Sequence, residues 1–148
     1  MKGLDFKPKV LSKEYVEKYG VLYDEDVFYQ DDYQIEALYD KAPELGGKPF
    51  TGLLYELYNG KLIYYQYYKD GYGDEECVRF YENGDIASYC TMQKFSHRSK
   101  SYRWYKDGKL KSFSEVDEKR RYINSIRYDE EGNIDFLIEN GKTIIETI

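Results

Sequence analysis

Residues 77–86 read CVRFYENGDI and residues 101–110 read SYRWYKDGKL; LLYELYNGKL at 53–62 and SIRYDEEGNI at 125–134 have the same shape. The eighth residue of each is glycine: Gly60, Gly84, Gly108 and Gly132. The intervals 84−60, 108−84 and 132−108 are all 24 residues. Asn59, Asn83, Asp107 or Glu131 precedes each glycine, and Leu62, Ile86, Leu110 or Ile134 follows two places on. Asn-Gly and Asp-Gly supply the positive φ that a two-residue type I′ hairpin turn needs, so a hairpin is predicted at each glycine. A fixed period of this length predicts an array, with repeats 53–76, 77–100, 101–124 and 125–148.

Outward from that stretch, the rising arms alternate. Val78 and Phe80, like Tyr102 and Trp104, share one parity; Arg79 and Tyr81, like Arg103 and Tyr105, share the other. On the falling arms both Leu62, Ile86, Leu110, Ile134 and Tyr65, Tyr89, Phe113, Leu137 are apolar although their parity differs. Either a bulge resets the pleat or both faces are partly buried. Nineteen tyrosines in 148 residues, with 34% charged residues, favour a thin sheet wetted on both sides. The second reversal of each block diverges: Lys69-Asp70-Gly71-Tyr72-Gly73, then Phe95-Ser96-His97-Arg98-Ser99, Asp117-Glu118-Lys119-Arg120-Arg121 and Glu139-Asn140-Gly141-Lys142. The uniform turns read as scaffold, and the divergent edge as the place for recognition.

Residues 1–48 stand outside the period and predict a small α/β cap on the array of 49–148. Ser12 reads as the N-cap of a short helix that Gly20 stops, lying over an edge of the sheet. VLYDEDVFY at 21–29 predicts two short strands around an acidic turn. Ile35 to Tyr39 predicts a third, and Lys41 to Lys48 a loop. The fold class is thus mainly β, an antiparallel hairpin array with a small cap.

The aromatic-Tyr-x-Asn-Gly-x-Leu pattern of Phe80-Tyr81-Glu82-Asn83-Gly84-Asp85-Ile86 and Trp104-Tyr105-Lys106-Asp107-Gly108-Lys109-Leu110 resembles the MORN-repeat variant family of bacteria. Pro49 to Tyr55 and Tyr68 to Gly73 are similar to the way such arrays open and continue. The resemblance spans about residues 49–141. Blocks two and three depart from it in lacking the linking glycines, and block four in carrying Tyr128-Asp129-Glu130-Glu131-Gly132. What it implies is a sheet of consecutive hairpins, in a family that contains antitoxins and immunity proteins of bacterial toxin systems.

Chemistry for an enzyme is sparse, so no catalytic residue, metal, cofactor or small-molecule substrate is expected. The lone His97 sits in a polar turn, no Cys-x-x-Cys occurs, and glycine is used one residue at a time at the repeat turns, without a phosphate-cradling loop. Carboxylate runs such as Asp74-Glu75-Glu76 and Asp129-Glu130-Glu131 read as hydrated turns rather than a glycosidase pair. Cys77 and Cys90 read as reduced, half-buried thiols, and the lack of a signal-like or membrane-length apolar run predicts a cytoplasmic protein without integral membrane association.

Charge leaves two binding readings. Residues 1–50, 51–76, 77–125 and 126–148 carry net −4, −3, +5 and −4, which sum to the −6 of the chain. In one reading Asp24, Glu25, Asp26, Asp31 and Asp32, or Asp74, Glu75 and Glu76, mimic phosphate for a basic toxin cleft, with Tyr23, Tyr29, Tyr33 and Tyr72 as anchors. The partner would be a cognate toxin. In the other, Lys94, Arg98, Lys100, Arg103, Arg120 and Arg121, among Tyr102, Trp104 and Tyr122, meet a nucleic acid or an anionic membrane surface. Net negative charge and the absence of RNP-type aromatic spacing count against nucleic acid.

Overall fold

A computed structural model describes residues 1, 3–24, 28–30, 37–93 and 96–146. Helix α1 (Lys13–Tyr19) begins where Ser12 Oγ accepts the Tyr15 amide at 3.1 Å and ends where the Gly20 amide donates to the Val16 carbonyl at 2.7 Å. Its one buried residue is Val16, which packs into the core cluster of the sheet. Strand β1 (Val21–Leu22) runs parallel to β4 (Gly52–Tyr58) at the sheet edge. Strands β2 (Tyr29–Gln30) and β3 (Leu38–Tyr39) form a separate two-stranded sheet, and a 3-10 turn, Pro43–Leu45, lies in the following loop. Two short strands therefore flank the acidic stretch as expected, but they belong to different sheets. Glu25, Asp26, Asp31, Asp32, Tyr33 and Ile35 lie outside the described residues, as does Lys94.

The remaining strands follow in chain order: β5 (Lys61–Lys69), β6 (Tyr72–Phe80), β7 (Ile86–Met92), β8 (Ser99–Trp104), β9 (Leu110–Val116), β10 (Tyr122–Tyr128), β11 (Ile134–Glu139) and β12 (Lys142–Glu146). From β4 onward each pairs antiparallel with the next, giving one open ten-stranded sheet in the order β1-β4-β5 and on to β12. Sequential hairpins dictate that order, because each short turn leaves the chain beside the strand it has just built.

The glycine turns are not all of the predicted kind. Asn59 and Gly60 both have positive φ, 50° and 75°, as a type I′ turn requires. At the next three only the glycine does, with φ of 93°, 89° and 90° for Gly84, Gly108 and Gly132. There the Gly84 amide donates to the Tyr81 carbonyl at 2.9 Å and the Tyr81 amide to the Asp85 carbonyl at 2.8 Å, a three-residue loop in which a type I turn leads into a left-handed glycine. Residues 105–109 and 129–133 repeat both bonds. Asn83 and Asp107 thus contribute a side-chain oxygen, accepting the Asp85 and Lys109 amides at 2.9 Å, instead of a left-handed backbone.

A pleat reset follows each turn. Glu56 pairs with Tyr64 but Leu57 with Leu62; Arg79 with Ser88 but Phe80 with Ile86; Arg103 with Ser112 but Trp104 with Leu110; Arg127 with Phe136 but Tyr128 with Ile134. The residues left unpaired are Ile63, Ala87, Lys111 and Asp135, again 24 apart. Bulges therefore explain why two apolar positions of opposite parity share a face. Tyrosine hydroxyls tie neighbouring hairpins on the other face: Tyr81 donates to the Trp104 carbonyl at 2.6 Å, and Tyr105 to that of Tyr128 at 2.8 Å.

With the pleat reset, one straight row crosses nine strands: Tyr55, Tyr65, Val78, Tyr89, Tyr102, Phe113, Ile126, Leu137 and Ile145, each opposite the next. All but the last two are buried. This face is not wet, as a thin two-sided sheet would be. Leu4, Leu11 and Val16 pack on it, the Phe6 ring lies 4.9 Å from Tyr102 and 5.6 Å from Tyr89, and the Leu11 amide donates to the Tyr65 hydroxyl at 3.0 Å. The N-terminal segment is a strap over the core row. On the opposite face of β4 and β5, Leu54 is buried with Leu38 and Phe50 in a smaller cluster, flanked by Tyr23, Phe28 and Tyr68. Burying each large side chain is worth about 1.5–3 kcal/mol, so both faces of the first strands carry stabilising load.

Candidate partner-binding edge

The divergent turns define the end of the sheet away from the glycines. Asp70-Gly71 and Asn140-Gly141 are type I′ pairs, with φ of 50° and 87°, and 50° and 78°. The middle two turns use left-handed residues that are not glycine, His97 at φ 62° and Arg120 at φ 61°. In the third turn the Asp117 carbonyl accepts the Arg120 amide at 3.0 Å, while Asp117 Oδ1 accepts the amides of Lys119 at 2.9 Å and Arg121 at 3.0 Å. Those bonds, the Arg121 amide foremost, hold the Asp117 carboxyl below its ordinary range.

Ion pairs knit the turns together. Arg98 Nε donates to Glu118 Oε2 at 2.8 Å, Arg121 Nε to Asp117 Oδ2 at 3.0 Å, and Arg120 Nη2 lies 3.3 Å from His97 Nδ1. Lys100 Nζ is 3.7 Å from Glu115 Oε2. The Arg98 hydrogen bond lowers the Glu118 pKa, and its counterpart raises that of Arg98. Of the nine basic and aromatic residues of the patch read in the sequence, Arg98, Lys100, Arg120 and Arg121 are thus engaged at this edge, three of them with carboxylates.

Arg103 and Trp104 are elsewhere. Arg103 sits in mid-sheet opposite Ser88 and Ser112, exposed on the face away from the core row. Trp104 points to the core side, is 9% exposed, and stacks on Tyr102 at 5.8 Å and 9°. Adjacent strand residues face opposite ways, so these two cannot serve one surface.

The acidic set also divides. Asp24 is exposed, next to Tyr23 of the smaller cluster, and its carbonyl accepts the Phe28 amide at 2.9 Å. Asp74, Glu75 and Glu76 are not in a turn: they lie inside β6, where the register with β5 slips between Gln66 and Tyr68 and Glu75 takes φ 58°. A strand bulge, not a reversal, displays them. Glu76 Oε2 accepts the Tyr89 hydroxyl at 2.8 Å, so it serves the core row. Tyr72 is half-buried opposite Lys69.

Asp74 and Glu75 line a cavity of about 500 Å³ together with Arg98, Lys100, Glu115 and Asp117. The acidic and basic sets, separate in sequence, meet there. Lys100 and Glu115 also line a second cavity of about 460 Å³ beside Met1 and Asn124. Asn124 Nδ2 donates to Glu115 Oε1 at 3.0 Å between the two.

The shared parity of Arg79 and Arg103 extends to a third arginine. Arg79, Ser88, Arg103, Ser112 and Arg127 form a row across five strands on the face away from the core. The arginines fill the third position of blocks two to four, a 24-residue spacing that turn matching passed over. Arg79 lies 4.5 Å over the Tyr64 ring, and Arg127 Nε donates to Asp135 Oδ1 at 2.6 Å.

Among the described residues no three His, Cys, Asp or Glu side chains gather to hold a metal, and no helix is long and apolar enough to cross a membrane. Comparison with protein-family models, with curated proteins and with solved structures finds no match to this chain.

Proposed function

We propose that the chain is a non-catalytic protein-binding module, an immunity protein or antitoxin that neutralises a cognate bacterial toxin in the cytoplasm by direct contact. In this reading residues 49–148 are four MORN-like repeats of 24 residues, and residues 1–48 a cap. The recurrence of the bulges at Ile63, Ala87, Lys111 and Asp135 supports the repeat assignment.

The observation that carries the binding reading is the juxtaposition of Asp74 and Glu75 with Arg98, Lys100, Glu115 and Asp117 around one cavity at the divergent edge. A surface carrying both signs in a fixed pattern selects a partner by complementarity and rejects wrong ones by like-charge contact. The carboxylates on Arg98, Lys100 and Arg121 weigh against a nucleic-acid or membrane-surface role, because paired cations release few counterions.

Co-expression with the product of the adjacent gene is the test. Rescue from its toxicity and co-purification as a complex are expected. Lysine at both Asp74 and Glu75 is expected to weaken that complex while the free protein stays folded. Absence of both rescue and complex would sink the reading.

A further inference from the structure

The chain has two cysteines, thirteen residues apart, and the β6–β7 hairpin sets them directly opposite each other, Cys77 against Cys90. Register does this. Were Ala87 paired instead of bulged, the ladder from Phe80 with Ile86 would continue as Arg79 with Ala87 and Val78 with Ser88, and Cys77 would face Tyr89. The bulge that builds the core row also aligns the thiols.

Directly opposed residues of an antiparallel pair have Cα atoms about 4.5 or 5.5 Å apart, inside the span of about 4.4–6.8 Å that a disulfide bridges. Strand parity puts both thiols on the face away from the core row, where both residues are partly buried. The contacts of the pair favour a thiolate on Cys77, against the opposing effect of burial. The Cys90 thiol hydrogen-bonds Cys77, and the Arg79 guanidinium, two residues on along the same face, and the Tyr64 hydroxyl add to the lowering of the Cys77 pKa; Cys90 is pushed up in turn. Two opposed thiols that share a hydrogen bond beside a guanidinium are the arrangement of an attacking and a resolving cysteine.

We infer that Cys77 and Cys90 form a dithiol site that reacts with small-molecule disulfides and closes into a cross-strand disulfide between β6 and β7. The Cys77 thiolate attacks one sulfur of R–S–S–R, the S–S bond breaks, and one RS⁻ leaves with its electron pair, giving Cys77–S–S–R. Cys90 then loses its proton to water and attacks the Cys77 sulfur, releasing the second RS⁻. Both thiolates take up protons as RSH. Two protein thiols are oxidised and one small disulfide is reduced, so two electrons and two protons pass to the reagent. The product staples two adjacent strands in the interior of the ten-stranded sheet, away from the charged turn edge.

The experiment treats the reduced full-length protein with oxidised glutathione and follows intact mass and peptide maps. Expected for the wild type is a loss of two hydrogens, a peptide linking residues 77 and 90, and a urea midpoint that rises and falls back with dithiothreitol. Cys90→Ser, a near-isosteric change, is expected to stop at one glutathione adduct on Cys77. A wild type that keeps two glutathione adducts, forms only intermolecular dimers, or fails to react while its urea-unfolded form does, would overturn the inference. So would a Cys90→Ser protein that takes up no adduct.

Discussion

Replacing Tyr65 by phenylalanine removes one oxygen atom from the best-buried side chain of the core row, and that atom is what the N-terminal strap is hooked to. Tyr65 is fully buried, and its hydroxyl accepts the Leu11 amide at 3.0 Å. The ring keeps its packing between Tyr55 and Val78, so no cavity opens. What is lost is one hydrogen bond, and what remains is a half-buried amide without its acceptor, at a cost of about 1–3 kcal/mol. Shedding the buried hydroxyl offsets part of this. A net loss of about 1.5 kcal/mol is expected, roughly a tenfold fall in the folding equilibrium constant. Urea unfolding followed by the fluorescence of Trp104, the sole tryptophan, measures it, because that indole packs in the same cluster. The slope of stability against urea should stay unchanged, since the surface exposed on unfolding hardly alters. Amide exchange supplies a local readout, with Leu11 faster in the variant and the amides of β9 and β10 unaltered relative to global stability. A loss below about 0.3 kcal/mol, or a Leu11 amide already unprotected in the wild type, would refute the idea that Tyr65 secures the strap.

Three further outcomes follow from turns, tyrosines and charges. Arg120 holds φ 61° with no glycine's freedom, so Arg120→Gly should stabilise by about 0.5–1 kcal/mol; Gly84→Ala, at φ 93° with open space around its Cβ, should destabilise by about 1–2 kcal/mol through backbone strain alone. Both are read as shifts in the urea midpoint, and the same sign in both would refute the turn assignment. Burial pushes Tyr65 up to about 12, and raises Tyr64, Tyr68 and Tyr89 as well. The unfolded chain therefore releases these protons near pH 10 while the folded chain retains them, so stability is present below about pH 10 and declines as pH rises through about 12; an urea midpoint constant across that window would contradict it. Swapping charges in the pair Arg98→Glu with Glu118→Arg should leave the urea midpoint nearly unchanged, since both side chains are exposed, while measurably altering association with the proposed partner.

How far the fold was legible follows from which interactions are local. Turn glycines, the Ser12 cap and the Gly20 stop act within a few residues, and all three leave direct marks in the sequence. The turn type at Gly84 was misread because Asn-Gly serves two geometries, and only the strand register, set by a bulge at Ala87, separates them. The strap was invisible for a different reason. Phe6 meets Tyr89 and Tyr102 across more than eighty residues of chain, and no pattern within residues 1–11 announces which face they cross. The candidate site fared likewise: each charged residue was readable as exposed, but the meeting of Asp74 with Arg98 and Asp117 depends on the slip in β6 and the length of two turns.

The geometry separates the residues that hold the sheet together from those available to a partner. Along the core row each residue from β5 to β11 stands opposite one residue on either neighbouring strand, so a change at Val78 or Tyr102 is felt across more than one hairpin. At the divergent edge the main pairs are exposed on at least one side, Arg98 with Glu118, Arg121 with Asp117 and Lys100 with Glu115, and exposed pairs contribute little to stability. In the third turn the amides of Lys119 and Arg121 donate to Asp117, so the backbone there is held independently of the exposed side chains of Arg98, Glu118 and Arg120. Substitution at positions such as 98, 118 or 120 therefore alters the presented charge without disturbing the register that the uniform glycine turns set. A scaffold of this kind allows one edge to be rewritten for a new partner while the rest of the sheet stays as it is.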